Sequence, residues 1–135
     1  MRQLLMFIVV LIGLAVPASA ADDVAAARAI ISAQADAFAR DDGAKAYGFA
    51  APAIQDMFTD PESFMNMVRN AYAPIYRHRS FEFTESDTSG GTIEQKARIV
   101  DADGVPWDAL YTLEPQPDGS LKISGCMLLK VGEGV

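Results

Sequence analysis

Cysteine and histidine are nearly absent from the 135-residue sequence, which contains one of each, Cys126 and His78. A single cysteine cannot form an intramolecular disulfide, so the hydrophobic core alone must stabilise the fold. One cysteine and one histidine also cannot build a typical zinc site. The segment Asp101-Ala102-Asp103-Gly104 is too short for a calcium-binding loop and is typical of a hairpin turn. We therefore expect no bound metal and no cofactor.

Basic residues are also few, since 11 lysines and arginines stand against 18 acidic residues, for a net charge of −7. They are scattered along the chain and form no basic stripe of the kind that binds nucleic acid. The same acidic balance disfavours an anionic membrane surface. We therefore expect neither a nucleic-acid partner nor a membrane partner for the mature chain.

The first 20 residues have the pattern of a secretory signal peptide. A short segment containing Arg2 precedes residues 4–16, which are apolar except for Gly13. This stretch is short for a membrane span, which needs about 20 residues. Pro17 ends it, and Ala18-Ser19-Ala20 is the small-x-small pattern of a cleavage site. We expect cleavage after Ala20 and a periplasmic or secreted protein.

The remaining residues, 21–135, suffice for one domain and show no repeat, low-complexity tract or linker. Their first half is predicted to be helical. A long helix runs from Asp22 to Asp42, and a short helix begins at Pro52. A third helix begins at a cap supplied by Thr59 or Asp60 and ends at Pro74. Two apolar stripes at helical spacing mark the buried faces: Val24, Ala27, Ile31, Ala35 and Phe38 in the first helix, and Phe64, Met67, Val68, Ala71 and Tyr72 in the third.

From Tyr76 onward the apolar period changes to two, the period of half-buried strands. Turn signals at Gly90-Gly91, Asp103-Gly104 and Asp118-Gly119 separate four strands. The sequence thus predicts an α+β fold, with three N-terminal helical segments packed on one face of a curved four-stranded antiparallel sheet. Six residues are expected to share the buried face: Phe38, Phe64, Phe81, Trp107, Tyr111 and Ile123.

Several short segments resemble an exported family known as domain of unknown function 4864. They are Gln34 to Phe38 with Asp41-Asp42, Ala51-Pro52 to Phe58, Phe64 with Met67-Val68 and Tyr72, Pro74 to Arg77, Asp101 to Tyr111, and Asp118-Gly119 to Gly125-Cys126. The order of elements is also similar to the cone-shaped fold of the nuclear transport factor 2-like (cystatin-like) superfamily, to which ketosteroid isomerase and scytalone dehydratase belong. The family resemblance implies fold and export, and it implies no activity.

In that superfamily, ligands enter a cone between the helices and the curved sheet. Strand alternation and the helical stripe direct six polar or aromatic residues toward such a cone: Gln34, Arg77, Arg79, Gln95, Trp107 and Tyr111. They would line a site for a small apolar or amphipathic ligand. The same residues could instead be structural, with buried amides that satisfy each other and aromatic rings that belong to the core.

A second hypothesis is an interaction module that dimerises or docks a protein partner through the outer face of the sheet. Alternation places four apolar residues on that face among charged ones: Val100, Leu110, Cys126 and Leu128. The oligomeric state distinguishes the two hypotheses, since a monomer with a cavity favours ligand binding and a sheet-to-sheet dimer favours the interface.

Catalysis of the isomerase or dehydratase type is a third hypothesis, and it would need a general base aimed into the cone. Alternation places Glu82, Glu94, Asp108 and His78 on the outer face, and Asp36 lies away from the apolar stripe of the first helix. We therefore name no catalytic residue and expect a non-catalytic domain.

Overall fold

The computed structural model describes Gly13 and residues 19–132 of the chain. The predicted signal peptide therefore lies almost entirely outside the described residues. Within them, five helices precede four strands. The helices are α1 (Ala20–Ala39), α2 (Gly43–Gly48), α3 (Pro52–Met57), α4 (Pro61–Ala71) and α5 (Ala73–Tyr76), and the strands are β1 (His78–Asp87), β2 (Ile93–Asp101), β3 (Pro106–Pro115) and β4 (Leu121–Lys130).

Side-chain caps begin the two longest helices. In α1, Ser19 Oγ accepts a hydrogen bond from the backbone N–H of Asp22 at 3.2 Å, and the Asp22 carboxylate accepts one from the N–H of Ser19 at 3.3 Å. In α4, Asp60 Oδ1 accepts from the N–H of Ser63 at 2.8 Å, so Asp60 is the cap and not Thr59. These caps satisfy N–H groups that have no partner within the helix.

Two short helices are not predicted by the sequence. Helix α2 forms where Gly48 suggests an irregular segment, because the Asp42 carboxylate caps it by accepting from the N–H of Lys45 at 3.2 Å. Helix α5 is a single turn that holds Pro74 near its start, where the missing N–H of proline would have no helical partner anyway. Pro74 therefore follows the end of one helix and helps to begin the next.

The strands form one antiparallel sheet in the order β1-β2-β3-β4, in which each strand pairs with its neighbour along the chain. The turn between β2 and β3 carries Gly104 at φ 84°, a conformation that glycine adopts without steric cost. The register places Gln95 opposite Tyr111 and Ile99 opposite Trp107. The predicted α+β architecture, with helices packed against a four-stranded antiparallel sheet, is confirmed.

The core lies between the helices and one face of the sheet. Ile31 of α1, Ile99 of β2 and Leu113 of β3 are fully buried. The six residues expected to share this face lie there: Phe38, Phe64, Tyr111 and Ile123 are buried, and Phe81 and Trp107 are half-buried and pack against them. No helix among residues 19–132 combines the length and the apolar character needed to cross a membrane.

A bulge in β4 reverses the face to which its second half points. Thr112 pairs with Gly125, but the next residue of β3, Leu113, pairs with Ile123, so Ser124 is the extra residue. The Ser124 hydroxyl donates to the carbonyl of Thr112 at 3.2 Å. Because side chains alternate along a strand, one inserted residue exchanges inner and outer positions beyond it.

The exchange corrects two of the predicted outer-face residues. Cys126 and Leu128 face the helices and pack against the core. Met127 and Leu129 take the outer positions instead, with 70 % and 57 % of their surface exposed. The prediction that Cys126 and Leu128 lie on the outer face is therefore wrong, since it assumed unbroken alternation along β4.

Candidate functional site

A pocket of about 360 Å³ lies between the helices and the inner face of β3 and β4. The pocket is bounded by α1 at Gln34, by α3, α4 and α5, and by the bulged segment of β4 at Ser124 to Cys126. Met57 of α3, 74 % exposed, lies at its rim. The bulge therefore contributes directly to the pocket, because it turns Cys126 toward the helices.

The walls of the pocket are largely apolar, and an aromatic cluster forms one side. The ring of Phe64 lies 6.2 Å from that of Phe38, 6.2 Å from that of Phe58 and 5.7 Å from that of Tyr47, measured between centroids. Tilted and edge-on contacts of this kind hold aromatic rings in fixed positions. The aromatic side of the pocket is therefore anchored from three directions.

Gln34 is buried and supplies one polar group to the pocket. Its Nε2 donates a hydrogen bond to the backbone carbonyl of Ala46 at 3.1 Å, which ties α1 to α2. No described residue donates to its Oε1, which leaves an acceptor at the edge of the pocket.

Tyr111 and Cys126 face each other across the β3–β4 ladder and supply the other polar groups. Burial raises the pKa of the Tyr111 phenol well above its ordinary value. Burial also raises the pKa of the Cys126 thiol to about 12, although the hydrogen bond from Tyr111 lowers it. Both groups are therefore uncharged at neutral pH and act as hydrogen-bonding groups rather than as bases.

The remaining polar contacts around the pocket are internal. The Tyr72 hydroxyl donates to the backbone carbonyl of Cys126 at 2.9 Å. None of the described residues that line the pocket carries a formal charge. Within residues 19–132, no cluster of three or more histidine, cysteine, aspartate or glutamate side chains is placed to hold a metal ion.

Of the six residues that the sequence directs toward a cone, the structure brings Gln34 and Tyr111 to the pocket. Gln95 lies elsewhere in the core, fully buried. Its Oε1 accepts from Arg28 Nε at 3.1 Å and from the Ser86 hydroxyl at 2.6 Å. Its Nε2 donates to the carbonyls of Glu85 at 3.2 Å and Lys96 at 2.8 Å. The expected burial of Gln95 is confirmed, and its contacts lie within the protein.

Arg77 lies on the surface, and the prediction that it points into the core is wrong. It follows α5 and precedes β1, so strand alternation does not apply to it. Its guanidinium stacks on the Tyr76 ring at 3.9 Å and forms an ion pair with Asp41 at 3.0 Å. A hydrogen bond from Tyr76, aided by the charge of Arg77, holds the pKa of the Asp41 carboxyl below its ordinary value.

Arg79 and Trp107 lie near the β2–β3 turn, away from the pocket. Arg79 is exposed beside Gly104, because a register shift between His78 and Ser80 interrupts the alternation of β1. Trp107 donates from Nε1 to the Asp101 carboxylate at 3.0 Å. The prediction that these two residues join a ligand site with Tyr111 is therefore wrong, although Trp107 does pack against the core.

The same register shift changes the position of His78, which alternation places on the outer face. His78 is half-buried, its ring lies 5.3 Å from that of Phe81, and its Nδ1 lies 2.9 Å from the carbonyl of Ile75. His78 and Phe81 are three residues apart, so unbroken alternation would place them on opposite sides of the sheet. The bulge at Arg79 brings them to the same side.

Sequence reasoning missed several residues of the pocket. Strand alternation places Cys126 on the opposite face. Helical periodicity assigns Tyr72 and Met67 to a buried stripe without a pocket beside it, and it assigns no role to Phe58. The sequence signal for the inward position of Cys126 is Ser124-Gly125, two small residues within an apolar strand. Glycine inside a strand often marks a bulge.

Comparison with known proteins assigns the chain to a family. The model of the family described as domain of unknown function (DUF4864) matches residues 20–133, and the protein belongs to this family. No curated protein and no solved structure matches the chain.

Proposed function

We propose that this member of the family binds a small apolar or amphipathic molecule in the pocket. The observation that carries the proposal is the pocket itself, about 360 Å³ with largely apolar walls. That volume falls within the range of small-molecule sites. Protein interiors are otherwise close-packed, with few voids larger than a water molecule.

The pocket opens to the surface and presents apolar walls, a combination that supports a role in binding. Cys126 and Tyr111 are uncharged at neutral pH, so they suit recognition better than proton abstraction. The arrangement of helices over a curved sheet is similar to the nuclear transport factor 2-like cone, which supports a ligand site at this position.

We also propose that the protein acts outside the cytoplasm. The support is the N-terminal pattern of Arg2, an apolar stretch and Ala18-Ser19-Ala20, which is typical of a cleaved signal peptide. The ligand would then be a molecule of the periplasm or of the external medium.

Native mass spectrometry of the protein isolated from its own compartment tests the binding proposal. We expect a bound small molecule on the wild-type chain. Met67→Trp places an indole in the wall of the pocket and should abolish the adduct. The matched control Met127→Trp adds the same indole to the outer sheet face and should retain it. A wild-type protein that carries no adduct would contradict the proposal.

A second candidate function is interaction with a protein through the outer sheet face. We define the outer patch as Val100, Leu110, Met127 and Leu129, which replaces the set predicted from sequence. Leu110 pairs directly with Met127, and both flank the ion pair between Arg98 and Asp108. Apolar side chains exposed together on a sheet favour association.

Analytical sedimentation separates the two functions. The samples are the wild-type protein and the variants Met127→Trp, Met67→Trp and Leu129→Lys. If the outer patch is an interface, the wild type is a dimer that Leu129→Lys dissociates and that Met67→Trp preserves. A monomeric wild type would contradict the homodimer form of this candidate.

A further inference from the structure

We infer that the pocket selects neutral molecules that carry one hydroxyl group on an apolar body, and that it rejects carboxylates of the same size. This inference rests on the proposed function, since it specifies the chemical class of the ligand. It follows from which polar groups of the pocket already have partners and which do not.

The absence of charge from the described lining residues disfavours an ionised ligand. A carboxylate moved from water into an apolar site without a cation loses much more hydration than the site returns. Arg77, whose guanidinium reaches the lining residue Phe38, donates to the carbonyl of Phe38 at 2.9 Å and pairs with Asp41. It is therefore engaged outside the pocket.

Two polar groups remain available to a ligand. Gln34 Oε1 can accept a hydrogen bond, because no described residue donates to it, while one amide hydrogen of the same side chain is used by the carbonyl of Ala46. The Tyr111 hydroxyl can donate, since its contact within the protein is the weakly accepting sulfur of Cys126. A hydroxyl is a small group that can donate to the first and accept from the second, whereas a ketone can only accept.

Two other hydroxyl groups beside the pocket already donate to acceptors within the protein. The Tyr72 hydroxyl is used by the carbonyl of Cys126, and the Ser124 hydroxyl by the carbonyl of Thr112. Tyr72 therefore offers a matched control for Tyr111, because both are phenols beside one pocket and differ in whether the hydroxyl has a strong acceptor.

The volume of the pocket limits the size of the apolar part of the ligand. At about 30 Å³ for each water-sized group, the pocket of about 360 Å³ accommodates about a dozen such groups. A bicyclic aromatic alcohol is of this size, so 2-naphthol, 2-naphthoate and naphthalene form a probe series that differs only in the polar end.

Calorimetric titration of the full mature chain with these three probes at neutral pH tests the inference. We expect 2-naphthol to bind about tenfold more tightly than naphthalene, from two neutral hydrogen bonds with net gains after desolvation. We expect 2-naphthoate to bind about a hundredfold more weakly than 2-naphthol, because its charge has no partner. Equal affinities for 2-naphthol and 2-naphthoate would overturn the inference and leave the proposed function standing.

Variants of the two tyrosines test which hydroxyl group binds the hydroxyl of 2-naphthol. Tyr111→Phe should weaken 2-naphthol binding about fivefold and leave naphthalene binding unchanged, as expected for loss of one neutral hydrogen bond. Tyr72→Phe should leave the preference for 2-naphthol over naphthalene intact. If Tyr111→Phe and Tyr72→Phe alter that preference equally, the assignment of Tyr111 is overturned. Failure of all three probes to bind would overturn the proposed function together with the inference.

Discussion

A fully buried glutamine is stable only where its amide hydrogens and oxygen lone pairs find partners, and Gln95 meets this condition completely. Its two N–H groups each reach a backbone carbonyl, and its oxygen accepts from Arg28 and Ser86. Four hydrogen bonds are the full capacity of the side chain. Gln95 therefore joins α1 to the irregular pairing of β1 and β2, where Phe83 pairs with Ala97 and Ser86 with Gln95.

Gln95→Leu should destabilise the protein by about 1–3 kcal/mol, because the partners of the amide would stay partly buried without hydrogen bonds. Urea denaturation followed by circular dichroism measures the change. The double variant with Arg28→Leu should be destabilised by less than the two single effects together, since both remove the same contact. Strict additivity, or a Gln95→Leu variant as stable as the wild type, would show that the network contributes little.

The Cys126 thiol provides a second test at the scale of one residue. With a pKa of about 12, its reactive thiolate is scarce at neutral pH. Its alkylation rate should therefore still rise about tenfold per pH unit at pH 9–10, where a thiol of ordinary pKa near 8.5 levels off. Intact mass after timed iodoacetamide treatment measures this rate, with the urea-unfolded chain as control. A plateau near pH 9 in the folded protein would contradict the burial of this thiol.

Periodicity predicts the elements of this chain well where nothing interrupts it. Along β2, alternation places Ile93, Gln95, Ala97 and Ile99 on the buried face, as the structure has them. The candidate site depends instead on the bulge at Ser124, which is defined by the pairing of β4 with β3 and which the alternation pattern of β4 alone does not record. Gln34 lies in α1 and Tyr111 lies in β3, and neither follows the bulge, so periodicity places both correctly. Cys126 follows the bulge in β4, so alternation misplaces it.

Helix α4 shows the strength of helical periodicity and offers a test at the scale of an element. Phe64 is buried and contacts aromatic rings from α1, α2 and the segment after α3. Phe64→Ala should cost about 3–5 kcal/mol, the usual range for a buried phenylalanine. Met57→Ala, at an exposed position of α3, is the control and should change the melting temperature little. A small shift for Phe64→Ala would mean that the surrounding aromatic rings close the space it leaves.

At the scale of the whole chain, the predicted cleavage site coincides with the start of α1. Cleavage after Ala20 would remove Ser19, whose side chain caps the helix, and would leave Ala21 as the first residue. We expect intact-mass analysis of the exported protein to give a chain that begins at Ala21. An exported species that still carries Met1 would contradict the export proposal.

The loss of the cap should have a measurable cost. A recombinant chain beginning at Ala21 should be about 1 kcal/mol less stable than one beginning at Pro17, the typical effect of removing an N-cap. Ser19→Ala in the longer chain is the control and should abolish most of the difference. Equal stability of all three chains would show that the first turn of α1 contributes nothing to folding.

The sequential order of the strands has a consequence for the path by which the chain folds. Each ladder joins strands that are adjacent along the chain, so little loop-closure entropy opposes the formation of the sheet. The contacts of α1 are different, because Arg28 and Gln95 are separated by 67 positions. Since rates of folding fall as contacts become less local, the hairpins should form early and α1 should dock late. Substitutions at Arg28 should therefore accelerate unfolding and leave the refolding rate nearly unchanged.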